Sequence, residues 1–225
     1  MSLAPLPPVR RRDLVAFDIR HGLPCALRVL RGALGMGGLV RTIGDLAWRG
    51  RRDPLASLPR RWPADQEWLV RRQLRPVVLL DDVLRLDRKL DEPRRLALLR
   101  RVVSETGAQF VATNVPAKAA DTWHHSSQQE RGRFAVSLVR RFFNVAATAP
   151  VVDDYSLSFD VTRCRFAELT VELGRPYLGP MFCEADAVFF ARPEVSLSLR
   201  RTSTIAEGAA CCDFHFRYPE PERAP

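Results

Sequence analysis

The sequence predicts an α+β fold: N-terminal helices followed by a C-terminal antiparallel sheet with a short inserted helix. Three observations predict it. Apolar residues recur at helical spacing between residues 65 and 142. After Pro150 they alternate with polar residues, as in half-buried strands. Near the end, "AEGA" turns one alternating run, 195–201, back onto another, 211–218.

The elements follow in order. Residues 1–62 read as a basic, apolar, helical N-terminal extension. Its stretch 23–48, "LPCALRVLRGALGMGGLVRTIGDLAW", holds Arg28, Arg31, Arg41, Asp45 and "GMGG". Those charges and glycines argue against a membrane span, which needs about 20 mostly apolar residues. Two readings of 23–48 stay open: amphipathic helices packed on the domain, or a basic interfacial helix touching a membrane surface or a protein. The composition break at "RRWPAD" marks residues 63–225 as a single α+β domain that folds alone.

Asp65 is the expected N-cap of the next helix, which runs towards Leu90 with a bend near Pro76. Asp91, Glu92 and Pro93 open another, with Leu96, Leu99 and Val103 on one face and Gly107 as its stop. A long connection, 111–129, contains His124 and His125, read as loop residues or as a lid contributing an imidazole. Ser126 or Ser127 caps a third helix with the stripe Phe134, Leu138 and Phe142. Tyr155, Leu157, Phe159 and Val161 form a strand. Thr162 then caps the short inserted helix, and Gly174 ends it.

The formal charge is +9, and it is localised. Residues 1–72 hold 14 Arg against six acids, +8, while the remaining 153 residues are close to balanced. Any electrostatic partner belongs to the N-terminal third. No aromatic–basic motif suggests nucleic-acid binding. The absence of an apolar leader and the odd count of five cysteines indicate a reducing cytoplasm.

Strand parity bears on the paired cysteines of "EGAACCDFHFRYP". Cys212, Phe214, Phe216 and Tyr218 share one face; Cys211, Asp213, His215 and Arg217 share the other. Neither pair, Cys211 with His215 nor Cys212 with His215, can clamp one metal from a regular strand. A zinc site would have to gather Cys164, Cys183 and Cys212 from three segments, and no metal or other cofactor is expected. Cys164, at the start of the inserted helix between Arg163 and Arg165, is placed either as an activated thiolate or as a packing residue. Cys183, Glu184 and Asp186 in "FCEADAVFF" are either carboxylate and thiol groups with shifted proton affinity or an exposed turn.

The C-terminal pattern "VTRCRFAELTVELG", "GPMFCEAD" and "RRTSTIAEGAACCDFHF" resembles the L-2-amino-thiazoline-4-carboxylic acid hydrolase family. The matching features are Cys164 heading a short helix, Cys183 with Asp186, Arg201 to Thr204, and Gly208 with Cys212. More distantly, the layout resembles vinyl-reductase-type small-molecule-binding domains, which often hold zinc; where that group shows Glu-x-x-Cys, this chain has Arg201 and Thr204. The resemblance implies hydrolysis of a small cyclic C=N compound bearing a carboxylate. It implies Cys164, Cys183 and Asp186 as catalytic groups, and Arg201, Thr204, Cys212 and Glu184 as substrate contacts. Two other readings remain: a biosynthetic enzyme of the same fold acting on another small metabolite, and a non-catalytic small-molecule-binding or adaptor protein.

Overall fold

The computed structural model describes residues 3–115 and 120–220. Its order is helices first and sheet last. The helices are α1 (Arg11–Phe17), α2 (Leu23–Arg49), α3 (Ala64–Asp82), α4 (Glu92–Asn114), α5 (Ala120–His124) and α6 (Gln128–Val139). Strands β1 (Val145–Ala147), β2 (Val151–Val152) and β3 (Ser156–Cys164) follow. Then come α7 (Arg165–Glu172), α8 (Gly179–Phe190), β4 (Ser198–Arg200) and β5 (Cys212–Arg217). The α+β architecture with an inserted helical segment is therefore what the molecule has.

The sheet runs β1-β3-β5-β4, with β2 also on β3, and every pairing is antiparallel. Leu157 lies opposite Phe216, Phe159 opposite Phe214, and Val161 opposite Cys212. Parity places Cys212, Phe214, Phe216 and Tyr218 inward, each 5% exposed or less. Their rings stack: Phe159 and Phe214 lie 5.1 Å apart and nearly parallel. Phe190 of α8 packs edge-on against Phe216 at 5.1 Å, so burial of these rings helps hold that helix on the sheet.

Several helix boundaries differ from the sequence reading, each for a physical reason. α3 starts at Ala64, capped by Pro63, so Asp65 lies in the first turn and bonds Arg11 at 2.8 Å. Pro76 sits within α3, which continues into a π-helical turn, Val83–Asp87. Gly107 does not stop α4. It sits inside that helix because α8 crosses there: a Cβ at 107 would stand 2.5 Å from the Ala185 methyl. Thr162 caps nothing; it belongs to β3 and donates to the Ala146 carbonyl. β1 keeps pairing to the end of β3, with Val145 opposite Cys164, so Cys164 itself caps α7. The cap of α6 is Ser127, in a reciprocal box with Glu130. Part of the connection expected over 111–129 lies outside the described residues.

One apolar cluster spans both sides of the boundary expected near residue 62. Leu3, Leu14, Phe17, Val29, Leu30 and Leu55 join the same core as α3, α4, α6 and the sheet. Polar contacts cross it too. Arg165, fully buried at the start of α7, forks onto Glu67 of α3 (Nε–Oε2 3.0 Å and Nη2–Oε1 2.9 Å) and also donates to the Pro59 carbonyl. Arg71 donates to Glu67 and to the carbonyls of Leu55, Leu58 and Pro59.

Candidate functional site

α8 carries the two motif residues of "FCEAD". Cys183 and Asp186 are three residues apart, so they face the same side of the helix, one turn apart. That side is turned towards Arg201, just past the end of β4. The Arg201 guanidinium donates through Nη1 to Asp186 Oδ2 at 2.8 Å and through Nη2 to the Cys183 carbonyl at 2.7 Å. Its plane lies over the Phe214 ring at 5.0 Å. The clamp is well sheltered: the side chains of Arg201 and Asp186 are 10% and 16% exposed.

The electrostatics follow from this shelter. Burial pushes the Asp186 carboxyl above its ordinary range, and the Arg201 charge pulls it partly back. For Arg201, burial works against the charge, but Asp186 and Cys183 outweigh it and raise its proton affinity. Burial pushes the Cys183 thiol up to about 12, with Arg201 opposing and the neighbouring Cys164, Asp186 and Cys212 reinforcing. Cys183 is thus a neutral thiol at neutral pH.

Cys164 and Cys212 lie close enough to Cys183 to act on its charge. Cys164 ends β3, and the N–H groups of Phe166 and Ala167 at the head of α7 point at its sulfur. Its thiol is nevertheless raised, because burial outweighs those donors. The flanking arginines do not help. Arg163 bonds Glu168 at 2.9 Å, and Arg165 is consumed by Glu67. The expected thiolate-stabilising pair is therefore turned away from the sulfur. Cys212 accepts the Ile205 N–H at 3.2 Å and is likewise raised by burial. Cys211, its neighbour, is half-buried on the opposite parity.

Two residues expected as substrate contacts have other partners. Glu184 bonds Arg100 of α4 at 2.9 Å. Thr204 is buried and donates to Glu207 at 2.6 Å, capping the short 3₁₀ turn Ile205–Glu207. Gly208 follows at φ 96°, a left-handed conformation that favours glycine. His124 is no lid: its ring nitrogens face the carbonyls of Asp154 (3.1 Å) and Pro219 (2.8 Å), tying α5 to the sheet.

Sequence reasoning missed Asp213. Its carboxylate accepts from the backbone N–H and hydroxyl of both Thr202 and Ser203, at 2.6–3.1 Å. Burial opposes the charge, but those donors outweigh it and hold the carboxyl far below the usual range. The signal was present in "RTST" and "CDF", since a serine/threonine run and an acid on the adjacent strand are complementary donors and acceptor.

Among the described residues, no three His, Cys, Asp or Glu side chains come together as a metal-holding group.

The sequence pattern of one family covers most of this architecture. L-2-amino-thiazoline-4-carboxylic acid hydrolase matches residues 85–216, from the π-helical turn after α3 to the end of β5. Neither a curated protein nor a solved structure matches the chain. The match spans more than half of the sequence and includes every residue of the Cys183–Asp186–Arg201 cluster, so the chain belongs to the L-2-amino-thiazoline-4-carboxylic acid hydrolase family.

Proposed function

We propose that the protein hydrolyses a small 2-aminothiazoline-type carboxylate, with Cys183 as nucleophile and Asp186 as its base. The family supports the reaction class. The observation that carries the residue roles is the arrangement on α8: a thiol and a carboxylate one turn apart, with one guanidinium donating to that carboxylate and to the backbone carbonyl of the thiol residue.

A thiol near 12 is a poor nucleophile by itself, so it needs a proton acceptor. Asp186, pushed up by burial, has a proton affinity closer to the working pH than an ordinary carboxylate. The Cys183 proton passes to Asp186 as the sulfur bonds the ring carbon between nitrogen and sulfur. The ring C–S bond breaks, and its sulfur takes the proton. Water then adds to the isothiourea carbon, Cys183 leaves as a thiol, and the product is a carbamoyl-cysteine. The balance is substrate plus one water. Arg201 fixes Asp186 and the helix, and its remaining N–H groups are suited to a substrate carboxylate.

The test is turnover of L-2-amino-thiazoline-4-carboxylate followed by mass spectrometry of the product. Cys183→Ala and Asp186→Asn should each lose orders of magnitude, whereas Cys164→Ala, shown to be folded, should keep activity within about tenfold. An inactive Asp186→Asn beside an active Cys183→Ala would remove the covalent step and leave Asp186 activating water directly. An inactive wild-type protein would leave the binding-protein reading.

A further inference from the structure

We propose that the outer face of the second half of α2, residues 36–48, docks on an anionic lipid surface. After the break at Gly35, whose φ is 68°, the helix presents two unlike faces. The inner face is fixed to the fold: Leu39 and Thr42 are buried, Asp45 bonds Arg88 at 2.6 Å, and Arg49 forks onto Asp87. The outer face exposes Met36 (60%), Val40 (60%), Ile43 (44%) and Trp48 (67%).

Met36, Val40, Ile43 and Ala47 follow at intervals of four, three and four, which makes one continuous stripe. Arg41 is the single charged side chain among the exposed residues of this segment. A solvent-facing helix normally carries its charges there, so an apolar stripe of this length indicates a partner.

Charge selects the partner. Arg31, Arg41, Arg51 and Arg52 are exposed and form no ion pair among the described residues. Residues 1–72 carry 14 Arg against six acids. Arg51 lies on the Trp48 ring, 4.3 Å from its centroid. An apolar stripe edged by a tryptophan and unpaired arginines suits the boundary between acyl chains and anionic headgroups. Arg11–Arg49 is also the helix that is long and apolar enough to cross a membrane among the described residues. Its packed inner face keeps it lying on the surface, not crossing.

The experiment mixes the full-length protein with vesicles of phosphatidylcholine alone or of phosphatidylcholine and phosphatidylglycerol in a two-to-one ratio. Cosedimentation and tryptophan emission are read. Binding to the anionic vesicles only, with a blue shift that Trp48→Phe removes, is the expected result. Val40→Ser/Ile43→Ser, both exposed and so compatible with folding, should weaken partitioning about tenfold or more. Arg51→Gln/Arg52→Gln should weaken it about fivefold per arginine. Equal binding to neutral vesicles, or none to either, overturns the proposal. So does a dimer in sedimentation velocity that Val40→Ser/Ile43→Ser disperses while vesicles are ignored, because the face would then belong to a second copy.

Discussion

Glu67→Gln removes one charge from a fully enclosed ionic cluster. Glu67 is 1% exposed in its side chain and Arg165 is 0% exposed. The carboxylate receives two bonds from Arg165 and one from Arg71. In the variant, one of the two oxygens becomes an NH₂ group aimed at a guanidinium, and two buried cations lose their shared anion. Removing one partner of a buried pair costs about 3–5 kcal/mol. A chain of this size loses about 2–4 °C of Tm per kcal/mol, so the fall should be about 6–20 °C. Thermal circular dichroism at neutral pH reads it. Glu168→Gln is the control: that carboxylate also bonds Arg165, at 3.2 Å, and accepts from Arg163 and Trp62, but it is 26% exposed, so its loss should cost less, about 1–2 kcal/mol. If Glu67→Gln shifts Tm by under about 2 °C, or no more than Glu168→Gln, burial does not decide the worth of this cluster. The pH dependence has a definite sign. Burial opposes the Glu67 charge, but Arg165 and Arg71 outweigh it and lower its pKa. Its contribution is therefore present above the ordinary glutamate range, about pH 4.3, and lost as pH falls through the lowered folded value.

Thiol labelling checks the state of Cys183: without substrate, its alkylation should be slow at neutral pH and keep rising about tenfold per pH unit towards 12, while a plateau near pH 9 would contradict the burial argument. Asp213→Ala should free Thr202 and Ser203 from the strand and reduce turnover through Arg201, with hydrogen exchange at residues 202–203 rising; unchanged exchange refutes the tethering role. Because the Asp213 carboxyl is lowered, that tether should persist at about pH 4 and loosen only as pH falls below the ordinary aspartate range. Residues 63–225 expressed alone test the boundary at 62: the shared core leads us to expect a loosely packed product that binds a hydrophobic dye, and a sharp thermal transition like that of the whole chain would establish an independent domain.

Local patterns carry much of the fold. Strand parity around 211–218, the glycine after α7 and the cap at Asp91 are written in neighbouring residues, and the structure has each of them. The candidate site is legible only as a set of motif letters. Cys183 and Asp186 share a helix, so their juxtaposition follows from spacing. The arginine that joins them comes from 15 residues beyond Asp186 through a loop, and no periodicity encodes that. Asp65 and Thr162 are of types that favour caps, yet Pro63 and a ninth strand residue, Cys164, hold those places instead. The Glu67–Arg165 pair, 98 positions apart, leaves no local trace.

The two aspartates of the motif region sit in opposite environments. Asp213 is saturated with donors, so it stays ionised and tethers the backbone of residues 202–203. That tether fixes the residue just before it, Arg201, at the end of β4. Arg201 in turn reaches α8 and holds Asp186, whose burial moves its proton affinity the other way. Environments that drive two like groups apart are what the proposed division into a structural Asp213 and a proton-transferring Asp186 requires. The run "RTST" is therefore a linkage: Thr202 and Ser203 secure it to β5, Thr204 caps the turn that follows, and Arg201 carries the fixed position to the carboxylate beside Cys183. Substituting Arg201 removes a direct partner of Asp186, whereas Asp213 and Thr202 act on it only through Arg201, so the loss should be graded along that chain: largest for Arg201, smaller for Asp213, smallest for Thr202.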